Sequence, residues 1–272
     1  MSNREFGPGK LMVVEKPLVS ISLDRNGDLD GFRKGDEFVC PALMQELSKL
    51  NEVQLDTFSS LTDSVTTVGE KTAFGIFKTN ACGTGDGKVG VYPTIARINH
   101  SCAPNAHYYP IPGPAMVLRA VKKISVGDEV TISYIDPLQR TSFSTTENRR
   151  KILKEEFGFY CDCPVCEKNL DDKTRARIGE IEDQVEPSLV QEQYLLCKQA
   201  KMHAGLLYLV GLKLLVALKL KADIPGIRSL CREIIDHALI AYGKDAQMVS
   251  VLKRILGAND ALIVDVLIEE LP

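Results

Sequence analysis

Three short stretches hold the side chains best suited to do chemistry. R-I-N-H-S-C-A-P-N, from Arg97 to Asn105, packs two amides, an imidazole, a hydroxyl, a thiol and a turn-making proline into one segment, too dense a polar set for a plain connector. G-D-E-V-T-I-S-Y, from Gly127 to Tyr134, is a turn followed by a strand that ends on a tyrosine. F-G-F-Y-C-D-C-P-V-C, from Phe157 to Cys166, sets Cys161, Cys163 and Cys166 as C-x-C-x-x-C, with Pro164 stiffening the turn. Zinc binds thiolates in a tetrahedron, so three closely spaced sulfurs call for a fourth ligand from elsewhere. Of Cys40, Cys82, Cys102, Cys197 and Cys231, the best placed is Cys102, because a metal there would pin the polar stretch against the C-terminal segment. The alternative is a set of reduced thiols without a metal. Cys197 and Cys231 fall on apolar helical faces and read as core.

Composition narrows the classes. The chain has 272 residues, 44% hydrophobic and 25% charged, which suits one large or two modest globular domains. Lysine and arginine number 33 against 36 acidic residues, so no basic excess announces a phosphate-backbone binder, and direct nucleic-acid binding is not expected. The most apolar window, Ala204 to Leu218, contains Lys213 and falls short of the roughly 20 apolar residues a membrane span needs, so it reads as a buried helix. M-S-N-R-E-F lacks the apolar run of a signal peptide. The chain is therefore expected in a reducing compartment, nuclear or cytoplasmic and not secreted, where cysteines serve as thiols or metal ligands.

Positioning these groups takes a β-rich first half. L-M-V-V-E-K-P-L-V-S-I-S-L, residues 11–23, predicts a strand or strand pair. Asn26 to Lys34 is a polar loop. Leu43, Leu47 and Leu50, then Leu55, Phe58 and Leu61, predict a helical insert at about residues 41–70. C-G-T-G-D-G-K, from Cys82 to Lys88, lacks the helix that a phosphate cradle needs, and is read as a flexible surface loop. Strands are expected at Ala106–Tyr109, Met116–Val121 and Val130–Ile135. A helix is expected at Thr145–Phe157, then an array at Arg175–Val185, Leu189–Lys221, Ile227–Tyr242, Asp245–Leu256 and Asp260–Leu271, in antiparallel hairpins of tetratricopeptide type.

Together, R-I-N-H-S-C-A-P-N, G-D-E-V-T-I-S-Y and F-x-F-x-C-x-C-x-x-C resemble, in order and separation, the SET-domain protein lysine methyltransferases of the SMYD-like and fungal SET type. The resemblance implies an α+β chain: a SET β-fold with pseudoknot and helical insert over residues 1–136, a post-SET zinc segment over 137–167, and an all-helical domain over 168–272. It implies S-adenosylmethionine contacts from Asn99, His100 and Phe159, a lysine channel walled by Phe157, and Tyr134 as the catalytic tyrosine. It places Cys102, Cys161, Cys163 and Cys166 on zinc. The expected activity is S-adenosylmethionine-dependent methylation of a protein lysine, histone or not, by a monomer.

Methyl transfer is an in-line displacement at a sulfonium, so alignment matters more than a nucleophilic side chain. An aromatic channel disfavours the ammonium form of lysine and still tolerates a cationic sulfonium. Two departures from the family pattern stand out. Gly9, Leu11, Glu15 and Pro17 match only the part that follows the family's G-x-G strand, so the sequence is expected to begin after that strand; Gly7-Pro8-Gly9 is too close to Glu15-Lys16-Pro17 to replace it. No second cysteine cluster precedes residue 100, so no MYND finger is expected there. Without the G-x-G strand, the alternative is a weak or inactive SET-like interaction module.

Overall fold

The computed structural model describes residues 1–22, 39–66, 69–135, 143–202, 204–219, 224–244, 247–260 and 263. The expected loop at Asn26–Lys34, the last helix at Asp260–Leu271 (save Asp260 and Ile263), the start of the post-SET segment and the side chain of Cys40 lie outside them.

Strand β1 (Leu11–Glu15) pairs antiparallel with β7 (Met116–Ala120), which pairs antiparallel with β6 (Ala106–Pro110). A second sheet orders β2 (Val19–Ser22), β4 (Lys88–Val91) and β3 (Ala81–Gly83). The break at Pro17 lets one β-branched run serve two sheets, since proline cannot donate to a ladder. β3 and β4 form a hairpin over the stretch expected to be a flexible loop. Thr84 closes it: its Oγ1 accepts the Lys88 N–H at 2.9 Å and hydrogen-bonds Asp86. A third, parallel pair joins β5 (Asn99–His100) to β8 (Thr131–Ile132).

The insert comprises α1 (Val39–Leu47), α2 (Glu52–Ser59) and α3 (Ala73–Asn80), so it runs beyond residue 70. Leu43, Leu47, Phe58, Leu61, Ile76 and Phe77 bury a core against Val19, Ile21, Val89 and Val91. The Thr72 side chain caps α3, and Asp63 accepts the Thr72 N–H at 3.0 Å. A Cβ at Gly75 would stand 2.2 Å from the Asp63 carboxylate, so only glycine lets that cap seat.

The C-terminal half is helical: α4 (Thr146–Phe157), α5 (Pro164–Lys168), α6 (Asp172–Glu180), α7 (Pro187–Gln199), α8 (Ala204–Lys219), α9 (Ile224–Ala241) and α10 (Gln247–Gly257). Each of α6 to α10 packs on the next. The run expected as one helix from Leu189 to Lys221 is two, because Lys201 turns left-handed (φ 50°) and Met202 tucks its N–H onto Cys197 O. On α9, Ile227, Leu230, Cys231, Ile234, Ile235, Ala238 and Ala241 bury one face, at roughly 1.5–3 kcal/mol per large apolar side chain.

The helical array docks on β7 through a polar-aromatic clasp. Tyr109 donates its hydroxyl to Tyr242 O at 2.6 Å, while Arg119 donates to the Tyr109 hydroxyl (2.9 Å) and to Gly9 O (3.0 Å). Gly9, of the Gly7-Pro8-Gly9 run, is thus part of this junction. His107 sits against the rings of Tyr109 and Tyr242, its Nε2 shut off from solvent, and burial pushes its pKa from 6.5 to about 4. The unfolded chain therefore takes up a proton that the fold refuses. This contribution is fully present above pH 6.5 and is lost as pH falls toward 4. Urea midpoints are expected to fall across that window, with a shallower slope in His107→Gln.

Candidate functional site

Asn99 and His100 are placed from both sides. Before them, Ile95–Arg97 makes a 3-10 turn whose leading N–H groups, Thr94 (2.9 Å) and Ile95 (3.2 Å), donate to the Glu15 carboxylate. Arg97 donates to Pro93 O (2.7 Å) and to Ser60 Oγ (2.6 Å), tying the turn to the insert. After them, Asn105 accepts the Thr131 N–H at 2.8 Å and donates to Glu129 O at 2.8 Å, stitching the first polar stretch to the one ending at Tyr134. Asn99 itself is exposed and donates through Nδ2 to Glu129 at 2.6 Å.

Tyr134 is held at both ends by residues 98–100. Its hydroxyl donates to Ile98 O at 2.7 Å, and its main-chain N–H donates to His100 Nδ1 at 2.9 Å. The ring centroid lies 5.0 Å from Phe157 and 6.1 Å from Phe159, and Phe159 is 6.1 Å from His100. Gly158, at φ +79°, is the left-handed C-cap of α4 and turns the chain between those two phenylalanines. Burial, with the Glu129 charge second, raises the Tyr134 pKa, so the phenol stays protonated at neutral pH. With its proton on Ile98 O, the oxygen can only accept from an incoming group.

The same elements assemble the cysteines. The sulfurs of Cys102, Cys161, Cys163 and Cys166 all lie within 4.8 Å of one another, with Cys102 3.4 Å from Cys166 and 4.0 Å from Cys161. Tetrahedral zinc at about 2.3 Å from each sulfur spaces the sulfurs by roughly 3.8 Å, so this set fits such a cation. Cys161, Cys163 and Cys166 are buried; Cys102 is partly so. Hydrogen bonds from the neighbouring thiols, Cys102 first, pull Cys163 down and Cys166 down to about 6, while hydrogen bonds with the other three push Cys102 up. Cys82, Cys197 and Cys231 stand outside the cluster.

Two arginines brace the cluster. Arg149, only 1% exposed, donates to Cys166 Sγ at 3.4 Å and Thr146 Oγ1 at 3.0 Å. Arg175 donates to Cys102 O at 3.0 Å and pairs with Asp171 at 2.6 Å. Asp172 lies 3.6 Å from Arg149 and accepts from Thr146. Neither arginine was singled out from sequence: each is one basic residue on a polar helix, and only the fold turns it inward. Four thiolates around a divalent cation would leave a net negative charge, which the buried Arg149 guanidinium would offset. Arg149→Met is expected to weaken metal binding about 10- to 100-fold, read by competition with a chromophoric chelator.

A family model described as SET domain matches residues 2–135. The chain is 47% identical over 79 residues to the human Histone-lysine N-methyltransferase SMYD3, covering 29% of this chain and 17% of that protein. It is 34% identical over 102 residues to the Xenopus laevis N-lysine methyltransferase SMYD2-B (38% and 22% covered), and 30% identical over 139 residues to the Arabidopsis thaliana Histone-lysine N-methyltransferase ASHR1 (46% and 28% covered). The alignments span less than a third of each relative's length. Residues 2–135, which carry Asn99, His100, Cys102 and Tyr134, are thus the part of the chain that matches a SET domain.

Proposed function

We propose that the chain transfers a methyl group from S-adenosylmethionine to a lysine side chain of a protein, with zinc held by Cys102, Cys161, Cys163 and Cys166. The observation that carries this reading is the meeting of Asn99–His100, Tyr134 and the Phe157–Phe159 pair at one place beside the cysteines. When bound, S-adenosylmethionine supplies a methyl group on a cationic sulfur. Around it, Asn99, His100 and Phe159 would form the binding wall. Phe157 and the Tyr134 ring would line the lysine channel, where low polarity favours the neutral amine. The Tyr134 oxygen, acceptor only, would receive an amine N–H and aim the nitrogen lone pair at the methyl carbon. No side chain here has to become a nucleophile.

Zinc would act structurally, fixing residues 157–166 over residues 99–102. The proteins similar to this chain carry methyltransferase names, and the aromatic and polar site residues converge, so the non-catalytic reading is not favoured. The substrate proposed is a protein, histone or not, acted on by a monomer in nucleus or cytoplasm. Among the described residues no helix is long and apolar enough to cross a membrane. Calorimetry of zinc-replete protein with S-adenosylmethionine, followed by labelled methyl transfer to histones and to a proteome extract, tests the proposal. Binding with transfer to lysine is expected; no binding would overturn it.

A further inference from the structure

His100 makes two contacts that decide its tautomer. The main-chain N–H of Tyr134 can only donate, so His100 Nδ1, 2.9 Å away, must be the unprotonated nitrogen. In the neutral ring the proton then sits on Nε2, which stands 3.3 Å from Cys102 Sγ. Both ring nitrogens are therefore used inside the protein.

We propose that His100 is a positioning residue that ties the metal to Tyr134: its imidazole donates from Nε2 to the metal-held Cys102 sulfur and accepts the Tyr134 main-chain N–H on Nδ1. A metal-bound thiolate can only accept a hydrogen bond, and coordination fixes where its sulfur lies. All donors in the relay then run one way, from Tyr134 to His100 to Cys102. With the metal gone, Cys102 is free to rotate and to carry its own proton, and the ring loses the partner that holds its plane. The other anchor of Tyr134, its hydroxyl on Ile98 O, belongs to the same segment, so a shift of His100 moves both. The proposal deepens the methyl-transfer reading: metal occupancy would set the alignment of the reacting groups without the metal touching either.

The test is made on the full chain, loaded with zinc or cadmium-113. Only four histidines are present, so long-range proton-nitrogen correlation can separate them. His100 is expected to carry its proton on Nε2, with scalar coupling from that proton to cadmium; a proton on Nδ1, or averaged over both nitrogens, would overturn the proposal. Chelation is expected to speed amide exchange at Tyr134 about 10-fold, as befits one lost hydrogen bond, while Ile124, bonded to Phe6 O, keeps its rate. His100→Ala, in cobalt-loaded protein whose thiolate absorption shows the cluster intact, must release Tyr134 equally. If only chelation does so, the link runs elsewhere and the proposal fails. These readouts need no turnover, so a chain that binds S-adenosylmethionine but methylates nothing would overturn the functional reading and leave this one standing.

Discussion

Tyr134→Phe is expected to lower kcat for methyl transfer about 100-fold while leaving KM for S-adenosylmethionine nearly unchanged. The ring stays, so its packing on Phe157 and Phe159 survives, and the main-chain N–H still meets His100 Nδ1. Two things go: the hydroxyl's grip on Ile98 O, and the only side-chain oxygen this residue offers to an amine. A reacting atom displaced by about 1 Å costs on the order of 100-fold, which sets the size of the effect. The unpaired Ile98 carbonyl costs about 1 kcal/mol, too little to unfold the domain, and a melting curve checks that. Because burial raises the Tyr134 pKa above its ordinary 10, the wild-type rate should climb as lysine loses its proton, with no fall from tyrosinate below pH 10. Equal rates for variant and wild type, over histones and extract alike, would remove Tyr134 from the catalytic role.

Stripping the metal, or replacing Cys166 by serine, is expected to have the largest effect on structure. Zinc sites in short peptides contribute about 10–16 kcal/mol to folding. Here the helical array has its own core, so the loss should be local, exposing residues 157–166 to protease while α7 to α10 persist. Cys166→Ser removes a thiolate and leaves Arg149 buried beside a hydroxyl; the fall in melting temperature should be about 10 °C, if 3–4 kcal/mol is lost. Wild-type protein should purify with about one zinc per chain, and the serine variant with much less. A metal-free wild type whose residues 157–166 keep their protection would show that the thiols hold together unaided.

Much of the site could be read from residue types because its chemistry is local. The C-x-C-x-x-C run needs only its own turn, and Thr145 with Gly158 announces both ends of α4 through a side-chain cap and a left-handed stop. Tyr134 and His100 could be named but not joined, since the bond between them depends on the parallel pairing of β5 and β8. Arg149 and Arg175 were invisible for the same reason: their meaning comes from Cys166 and Cys102, far off in sequence. In the fold, α3 lies wholly beyond the expected end of the insert, and Asp63 supports its cap from another turn. The break at Lys201 has no glycine or proline to mark it. It comes from packing, which buries Met202 and turns α8 back on α7.

The four sulfurs also have a history in time. Cys102 precedes Cys161 by 59 residues, so at about 5–20 residues per second a nascent chain carries the first ligand for several seconds before the other three emerge. During that interval β5 can find β8, because Thr131 and Ile132 are made first, while the His100–Tyr134 bond still lacks the metal-held sulfur that would fix it. A bound cation would then be the last part to arrive, closing a clasp around a half whose strands have already paired. A ribosome-bound chain halted after β8 has emerged but before Cys161 emerges should therefore hold a paired β5–β8 and no zinc.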